Sequence, residues 1–506
     1  WRHFFMINSS TFLTLFISII FIMFGLCHTF SSHQFRRSQT LFIRNSMSKS
    51  ATNRLSSTSI PLKDQHDPHH TYPSEFYHPC STFLKTMEER GFFHQCTNIE
   101  ALDQYLLKPG GIGYLGFDAT ASSLHVGSLL QIMILRHFQK CGHKPVVLIG
   151  GGTTKVGDPS GKDESRKMLN DEMINTNING ISSVFKKFLT FGDGPTDAVV
   201  VNNDDWLSTL NYIDFLRSYG PMFSINRMVN LDSVRSRLER ESPMTFLEFN
   251  YMILQAYDFV ELHRRFNCQV QFGGSDQWGN IVGGIELARK KDQAHLFGLT
   301  APLITTSDGK KMGKSAQGAI WLNHDLLSPF DYWQFWRNTA DADVERFLKL
   351  FTELPLDKIA ELSSLEGSDI NHAKVVLADA CTVLLHGADV LKSVKDTASS
   401  LFENNQSGGA GGKLEDLPRV SYALLPNLSN GVLLVDVMVG LNMAKSKSEA
   451  RRLIKGGGAR IDGVQIFNES EYILPVKKEV KEEESMKEIS FKISAGKKRH
   501  GLLVFS

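Results

Sequence analysis

The sequence predicts an α/β fold with a parallel sheet, followed by a helical segment and a small α+β domain at the C-terminal end. Three observations predict this: a strand–helix–strand pattern over 111–149, helical periodicity over 330–351, and a Gly-rich segment at 403–413. The 506 residues are 42% hydrophobic and 22% charged, with 55 Lys and Arg against 54 Asp and Glu. This composition excludes a disordered chain, a multi-span membrane protein and a generally basic nucleic-acid coat.

The first predicted unit is a βαβ unit. A short buried strand spans 111–117, apolar residues from Leu124 recur at helical spacing until Gly142, and a second strand spans 145–149. The ligand crevice of such a unit lies at the carboxyl ends of its strands. His125 and Gly127 stand in the first turn of the helix, where backbone amides favour phosphate oxygens. The alternative is an ordinary helix start packed against the sheet.

Two basic segments are candidates for phosphate binding. Lys311 and Lys314 flank Met312 and Gly313 after a turn, and two ammonium groups on such a loop suit a polyphosphate whose charge grows as a bond breaks. A second turn ends in Lys162, with Arg166 four residues later, but its Gly spacing is not that of a P-loop. Each segment alone is equally typical of a solvated basic turn.

Five segments together resemble the tyrosyl-tRNA synthetases of bacterial and organellar type, which are class I aminoacyl-tRNA synthetases. They are HVGS at 125–128, KMGKS at 311–315, GFDATA at 116–121, YMILQAYD at 251–258 and QFGGSDQW at 271–278. The first two resemble the HIGH and KMSKS motifs, the longer three are more specific, and all occur in the order and spacing of the family. Two positions depart from it: Ser128 replaces the second His of HIGH, and Leu115 stands where many relatives have a Cys that contacts the ribose.

The resemblance implies a two-step reaction. Tyrosine and ATP give tyrosyl adenylate and pyrophosphate, and the tyrosyl group then passes to tRNA(Tyr). The attacking carboxylate is already ionised at pH 7, so the site needs no general base and must instead position the reactants and stabilise charge on the pyrophosphate. ATP is expected to bring Mg²⁺, which bridges its phosphates without a protein cage. Neither a tightly bound cofactor nor a metal site is expected, and a homodimer is implied.

The resemblance also assigns residues to the two substrates. The catalytic contacts to the phosphates are expected from His125, Lys162, Arg166, Lys311 and Lys314. Tyrosine is expected to contact Tyr114, Asp118, Asp158, Tyr251, Gln255, Asp258, Gln271 and Gln277, with Tyr114 and Asp258 at its hydroxyl and Asp158, Tyr251 and Gln255 at its amino group. ATP is expected to contact Gly116, Thr120, His125, Gly127, Gly273, Gly274, Asp276, Lys311, Met312, Lys314 and Ser315. Without the resemblance, Tyr251, Gln255 and Asp258 could be a polar stripe on one helix face.

The later part of the chain is predicted to bind RNA. Residues 330–351 predict a helical core. Near the C-terminal end, 432–437 and 448–454 predict helices, and 460–464 predicts a strand that turns at Asp462 and Gly463. Positive charge is concentrated at Lys445, Lys447, Arg451, Arg452, Lys455, Arg460, Lys497, Lys498 and Arg499. This module resembles the S-four-type RNA-binding domain, whose phosphate contacts give salt-dependent affinity and little sequence information. A solvated basic surface is the alternative.

These patterns give a domain organisation. The resemblance predicts a Rossmann-like class I catalytic domain at 81–325, an α-helical anticodon-binding domain at 326–402, a flexible linker at 403–413 and an S-four-like domain at 414–506.

The first 80 residues form a separate segment. No Asp or Glu precedes Asp64, while Arg and Ser are frequent, which is typical of a transit peptide for mitochondria or chloroplasts. The apolar run at 11–27 keeps a signal or anchor segment open, and Met6 and Met47 are alternative starts.

Two other functions remain open from the sequence. One is a synthetase-like RNA-binding protein, such as a splicing factor, with reduced catalysis; Ser128 is the feature that favours it. The other is a synthetase of the same class with a different amino acid, against which Tyr114 and Asp258 argue.

Overall fold

The computed structural model describes residues 77–160, 169–307, 309, 312–315, 318–403, 417–425, 431–474, 489–496 and 499–505. The chain divides into two units, Trp1–Gln65 and His66–Ser506, and every described residue lies in the second. Most of the predicted targeting segment and linker therefore lies outside the described residues. No helix in the described ranges is both long and apolar enough to cross a membrane.

The first part of the chain forms a six-stranded sheet with the order β1-β6-β5-β2-β3-β4. Its strands are β1 (Gln95–Cys96), β2 (Ile112–Asp118), β3 (Lys144–Gly150), β4 (Val199–Asn202), β5 (Val270–Gly274) and β6 (Phe297–Ala301). All neighbours are parallel except β1, which is antiparallel to β6. The chain extends the sheet from β2 through β3 to β4 and then returns to the other side of β2. In such sheets, ligands bind between two adjacent parallel strands whose outgoing connections lead to opposite sides of the sheet.

Helices surround this sheet. They are α1 (Thr82–Glu89), α2 (Ile99–Leu106), α3 (Val126–Lys140), α4 (Gly151–Thr154), α5 (Asp171–Phe188), α6 (Asp204–Leu207), α7 (Tyr212–Tyr219), α8 (Ile225–Met228), α9 (Asp232–Glu239), α10 (Phe246–Phe266) and α11 (Trp278–Asp292). Short 3-10 turns occupy Gly220–Met222 and Ser275–Gln277. The predicted strand–helix–strand unit is thus β2, α3 and β3; the apolar residues of α3 join one core, and those of the two strands are divided between that core and a second one.

Local sequence explains where helices α3 and α10 begin. His125 is the N-cap of α3, and its Nδ1 accepts a hydrogen bond from the Gly127 amide at 3.0 Å. Helix α10 begins with a capping box, in which Thr245 Oγ1 accepts from Glu248 N and the Glu248 carboxylate accepts from Thr245 N. Such caps satisfy amides that have no partner within the helix. Asn267, in the left-handed conformation, ends α10.

A helical region follows, as predicted for 330–351. It contains α12 (Pro329–Arg337), α13 (Val344–Phe351), α14 (Leu356–Ser363), α15 (Ile370–His386) and α16 (Ala388–Glu403), with a 3-10 turn at Asp341–Asp343 that separates α12 from α13. Before it, β7 (Lys314–Ser315) and β8 (Gly318–Ala319) form a small antiparallel ladder. The aromatic residues of α12 and α13 are buried except for the partly buried Phe335, and Trp336 and Phe351 are in contact.

The C-terminal region is a five-stranded sheet with two helices. The sheet has the order β12-β11-β14-β15-β9, where β9 is Arg419–Ser421, β11 Ala459–Ile461, β12 Val464–Ile466, β14 Ile489–Ala495 and β15 Arg499–Phe505. A separate pair joins β10 (Val432–Leu433) to β13 (Tyr472–Ile473), a 3-10 turn spans Tyr422–Leu424, and the helices are α17 (Leu434–Gly440) and α18 (Lys447–Lys455). The predicted turn at 462–463 joins β11 to β12.

One prediction in this region is wrong at its start. The first two residues of the predicted helix at 432–437 form β10, and the helix begins at Leu434. Val432 and Leu433 pair with β13, a partner about 40 residues away in sequence that periodicity over a short window cannot reveal.

Candidate active site

The cavity that contains most of the predicted substrate residues lies where β2 and β5 meet. Its volume is about 340 Å³. All eight residues predicted to bind tyrosine line it: Tyr114, Asp118, Asp158, Tyr251, Gln255, Asp258, Gln271 and Gln277. Seven of the residues predicted to bind ATP line it too: Gly116, Thr120, His125, Gly127, Gly273, Gly274 and Asp276. Ser128 and Leu115, the two departures from the family pattern, are also on its wall.

One end of the cavity is deeply buried and carries a carboxyl group. Asp258, on α10, is 2% exposed, and its two oxygens accept hydrogen bonds from Trp206 Nε1 at 2.8 Å and Asn203 Nδ2 at 2.9 Å. Burial raises the pKa of Asp258 to about 7, against the effect of these two donors. The nearby Asp118 charge adds to the rise in pKa. The carboxyl group is thus held in one orientation while further acceptor capacity remains at its oxygens.

Beside Asp258 lies a phenol whose hydroxyl has no hydrogen-bond partner among the described residues. Tyr114, in the middle of β2, is 1% exposed, and its ring contacts Phe259 at 5.2 Å between centroids. Burial, followed by the Asp258 charge, holds the pKa of Tyr114 well above its usual value, so the hydroxyl keeps its proton. Gln271 Oε1, on β5, is likewise buried and unpaired among those residues. Buried polar atoms without partners are rare in proteins, and here two of them line one cavity.

Acceptor oxygens line another part of the wall. Tyr251 donates its hydroxyl proton toward Asp118, with 3.3 Å to each carboxylate oxygen, and Thr153 Oγ1 donates to Asp118 at 3.0 Å. Asp118 ends β2, and Thr153 lies on α4 directly after β3, so adjacent parallel strands bring them together.

A chain of amides continues this part of the wall. Gln277 Nε2 donates to Asp158 at 2.9 Å, Gln255 Nε2 donates to Gln277 Oε1 at 3.2 Å, and Asn280 Nδ2 donates to Gln255 Oε1 at 2.9 Å. These bonds fix the orientations of the amides. The carboxylates of Asp118 and Asp158 and several amide oxygens therefore line the same part of the cavity. Such a set of acceptors is suited to an ammonium group.

The opposite end of the cavity lies at the start of α3. Gly127 is required there, because a Cβ on it would lie 2.6 Å from His125 Cε1 and 2.9 Å from the Met312 carbonyl oxygen. Since His125 Nδ1 accepts the Gly127 N–H, the neutral ring carries its proton on Nε2 and has that nitrogen as a donor. Helix amides and an imidazole N–H both favour anions.

The lysine loop, residues 311–315, is described only in part. Lys311 on this loop lies outside the described residues, as do Lys162 and Arg166 of the other basic segment. It therefore stays a prediction that these side chains converge with His125. The backbone of Lys314 and Ser315 forms β7. Met312 does not line the cavity itself, but it is buried directly against the first turn of α3. The backbone of Met312 thus lies beside His125 and Gly127, while the phosphate contacts expected from Lys311 and Lys314 stay predictions.

Several residues on or behind this wall were not predicted. Asn203 and Trp206 orient Asp258, and Thr153 orients Asp118. In the amide orientation that satisfies its hydrogen bonds, with oxygen and nitrogen exchanged, Gln131 Nε2 donates to the carbonyl oxygens of Gly127 and Ser128 at 3.3 and 3.2 Å. Asn203 follows β4 directly, and polar residues at the carboxyl end of a parallel strand are a signal that could have identified it.

The predicted RNA-binding cations are largely on one helix. Lys447, Arg451, Arg452 and Lys455 are exposed on α18, with exposed Lys445 before it and exposed Arg460 on β11. Two of them are ion-paired: Lys447 with Asp436 at 2.6 Å and Lys455 with Glu469 at 3.1 Å. Arg499 is only partly exposed and donates to the Met443 carbonyl. Lys497 and Lys498 lie outside the described residues.

Comparison with known proteins assigns the class. The family model for class I tRNA synthetases of the tryptophan and tyrosine group matches residues 112–403. That range contains the six-stranded sheet from β2 onward, the cavity and the helical region.

Relatives of known name narrow the assignment. The chain is 53% identical over 423 residues to the tyrosine–tRNA ligase of Novosphingobium aromaticivorans, which covers 84% of this chain and 98% of the relative. It is 55% identical over 423 residues to that of Zymomonas mobilis, with the same coverage of both chains, and 58% identical over 382 residues to that of Caulobacter vibrioides, covering 76% and 90%. The chain therefore belongs to the class I tRNA synthetases, within the bacterial-type tyrosyl-tRNA synthetases.

Solved structures agree with this assignment. The C-terminally truncated mitochondrial tyrosyl-tRNA synthetase of Aspergillus nidulans is 30% identical and superposes with a TM-score of 0.57, covering 63% of this chain and 94% of that chain. The corresponding protein of Coccidioides posadasii is 32% identical with a TM-score of 0.54, covering 62% and 90%. The family, the class I fold and the enzyme class predicted from the five segments are confirmed.

Proposed function

We propose that the cavity activates tyrosine with ATP for transfer to tRNA(Tyr), the tyrosine–tRNA ligase reaction of the family to which the chain belongs. The observation that carries this proposal is that the buried Tyr114 hydroxyl, beside the Asp258 carboxyl group, has no hydrogen-bond partner in the part of the chain that the structure describes. A substrate phenol that lies between them donates its proton to Asp258 and accepts one from Tyr114. Phenylalanine in the same place would leave the Tyr114 hydroxyl without a partner, which costs about 1–3 kcal/mol for such a buried group, and would give Asp258 no further donor beside Asn203 and Trp206.

The remaining groups fit the other parts of tyrosine. Its ammonium group fits the acceptors of Asp118, Asp158, Gln255 and Gln277, while Tyr251 holds Asp118 in place. Its carboxylate then lies toward the start of α3. Because that carboxylate attacks the α-phosphorus without loss of a proton, the reaction depends on alignment and on stabilisation of the developing charge.

The residues assigned to ATP lie beyond the place proposed for the tyrosine carboxylate. His125 Nε2–H and the amides of α3 are donors for phosphate oxygens, with Thr120 as a further hydroxyl, and Asp276 and the backbone of Gly273 and Gly274 are positioned for the ribose. Lys162, Arg166, Lys311 and Lys314 supply the positive charge for the departing pyrophosphate, and Mg²⁺ enters with ATP as part of the substrate. Ser128 replaces the imidazole of the family motif by a hydroxyl, which can still donate one hydrogen bond.

The test is tyrosine-dependent exchange of labelled pyrophosphate into ATP. We expect exchange with tyrosine and little with phenylalanine or tryptophan. Exchange with tryptophan in place of tyrosine would establish a different specificity, and no exchange with any amino acid, together with retained RNA binding, would favour the RNA-binding alternative. Asp258→Asn should weaken tyrosine binding, because the amide nitrogen replaces one acceptor oxygen and meets the donor of either Asn203 or Trp206.

A lysine variant tests the phosphate role separately. Lys314→Ala should slow adenylate formation in single-turnover measurements and leave tyrosine binding unchanged, because its contact strengthens as pyrophosphate departs. An equal loss in tyrosine affinity and rate constant would contradict this role.

We propose that the exposed cations of α18 bind the tRNA backbone. Arg451 and Arg452 are adjacent and exposed, and no ion pair involves them among the described side chains. The double variant Arg451→Glu/Arg452→Glu should keep tyrosine-dependent exchange and lose much of its tRNA charging. Charging by the wild type should fall more steeply with added salt than charging by the variant, because the wild type makes more phosphate contacts. Charging at the wild-type rate in the double variant would remove α18 from the RNA contact.

We also propose a homodimer. The segment between β4 and β5 exposes large apolar side chains: Tyr212, Ile213, Leu216, Ile225, Leu238, Phe246 and Leu247. Phe246 is 70% exposed at the start of α10. Exposed large apolar side chains concentrated in one segment are typical of an interface, and a second copy of the chain would bury the same residues on both partners. Phe246→Glu should dissociate the dimer in sedimentation experiments, whereas the control Phe467→Glu, at a residue 61% exposed on the C-terminal region, should not.

We also propose that the protein is delivered to mitochondria or chloroplasts. This proposal rests on the absence of acidic residues before Asp64 and on the frequent Arg and Ser there. Fluorescent fusions of residues 1–80, begun at Met6, at Met47 or at Trp1, should locate to one or both organelles. Diffuse cytosolic fluorescence from every fusion would refute delivery.

A further inference from the structure

A strap of three residues fixes the histidine of the proposed phosphate site. Residues 320–322 run antiparallel to 124–126, with hydrogen bonds from Val126 N to Ile320 O and from Leu322 N to Leu124 O, both 2.9 Å. His125 and Trp321 are the bridge partners between these bonds. This is a non-hydrogen-bonded antiparallel pair, the arrangement in which two facing side chains lie closest.

The side chains of the strap alternate as this pairing requires. Ile320 and Leu322 are buried and hold the strap to the protein core. Trp321 between them is partly exposed and lines the cavity together with His125 and Gly127. Its indole ring lies 6.3 Å from the His125 imidazole between centroids, with 55° between the planes. Aromatic rings attract one another over such distances.

The other side of the imidazole is limited by the lysine loop. Ile320 N donates to Gly313 O at 3.1 Å, so the strap and the loop are joined by their backbones. A Cβ on Gly313 would lie 2.8 Å from His125 Nδ1 and 2.9 Å from Gly127 N. The imidazole is therefore confined between Trp321 and the Gly313 backbone, with Nδ1 bonded to Gly127 and Nε2 as the donor nitrogen.

We propose that Trp321 is a positioning residue for ATP: its indole holds the His125 ring in the orientation that directs Nε2–H to the phosphates. Trp321 belongs to none of the five segments that identify the family. The inference rests on the proposed role of His125 at the phosphates. It requires that loss of the indole affects the ATP step and leaves the tyrosine end of the cavity, formed by Tyr114 and Asp258, unchanged.

The first experiment separates the two substrates. In tyrosine-dependent pyrophosphate exchange, Trp321→Ala should lower kcat/KM for ATP roughly three- to tenfold, the range expected for one aromatic pair. The dissociation constant for tyrosine, from equilibrium dialysis without ATP, should stay within about twofold of wild type. Trp321→Phe should restore most of the loss, because a smaller ring still packs beside the imidazole.

The second experiment remains informative if the Ala variant fails to fold. A non-hydrolysable ATP analogue should change the tryptophan fluorescence of the wild type and of the control Trp333→Phe. Trp333 is a buried residue of α12 that does not line the cavity, and its Nε1 donates to Asp379. The change should be absent in Trp321→Phe.

Three outcomes would overturn the inference: wild-type ATP kinetics in Trp321→Ala, an equal loss of ATP and tyrosine affinity, or an unchanged fluorescence response in Trp321→Phe. If the wild type itself shows no tyrosine-dependent exchange, the proposed function is refuted instead. The two failures are therefore distinguishable.

Discussion

The unpaired hydroxyl of Tyr114 predicts that one substitution will raise stability and lower specificity at the same time. Tyr114→Phe keeps the ring and its contact with Phe259 and removes only an oxygen that is buried without a partner in the described structure. In the free protein that oxygen costs free energy, because it has lost water and gained no hydrogen bond. With tyrosine bound, the same oxygen has a partner.

The expected magnitudes follow from this difference. Removal of an unsatisfied buried hydroxyl should raise the free energy of unfolding by about 1 kcal/mol or more, since such groups cost about 1–3 kcal/mol. Loss of the hydrogen bond to the substrate should weaken tyrosine binding by about 0.5–1.5 kcal/mol, or roughly two- to tenfold. Phenylalanine binding should be unchanged or stronger, so discrimination between the two amino acids should fall by at least the same factor.

Urea unfolding of the free protein and equilibrium dialysis with each amino acid measure these quantities. Tyr105→Phe is the matched control, because the Tyr105 hydroxyl accepts a hydrogen bond from the N–H of Ile112, the first residue of the same strand, at 2.9 Å. The control should lose stability and keep its discrimination. If Tyr114→Phe is destabilised like the control, or discriminates like wild type, the Tyr114 hydroxyl does not face the substrate phenol.

Three further predictions concern charge and backbone. Burial raises the pKa of Asp258 to about 7, so the folded protein binds more protons than the unfolded chain between the usual carboxyl pKa and about pH 7, and its stability falls as pH rises through that window. Asp258→Asn should show a smaller loss of unfolding free energy between pH 5 and 8 than wild type; parallel slopes would contradict the raised pKa. The pKa of Glu353 is held at about 2 because hydrogen bonds from Arg136 and Lys140 outweigh the effect of burial. Glu353→Gln should therefore destabilise the protein at pH 7 by about 1–3 kcal/mol, with most of the difference lost as pH falls from the usual carboxyl range towards 2, and an undiminished difference in acid would be evidence against the ion pair. Gly313→Ala should reduce kcat for exchange without a change in tyrosine affinity, because φ is +107° and the new Cβ would meet His125; kinetics like those of wild type would show that the loop adapts.

Short-range sequence signals predicted the elements that present the site. The helix that starts after His125 ends at Lys140, two residues before the predicted stop at Gly142, and the stripe of Tyr251, Gln255 and Asp258 lies on α10 as expected. These signals depend on spacing within a few residues, which backbone geometry fixes locally. Val432 and Leu433, predicted as the start of a helix, form a strand instead because pairing with a distant strand overrode the local pattern.

The sequence by itself determined the family, the strand–helix–strand unit β2–α3–β3 and many of the side chains that line one cavity, because those follow from motif spacing and from the carboxyl ends of parallel strands. Only the tertiary structure decided how these side chains are held. Asn203 and Trp206 reach Asp258 from more than 50 residues away, and Trp321 meets His125 across nearly 200 residues. Such contacts carry no periodic signal, since they exist only after the chain has folded and brought separate segments to one place.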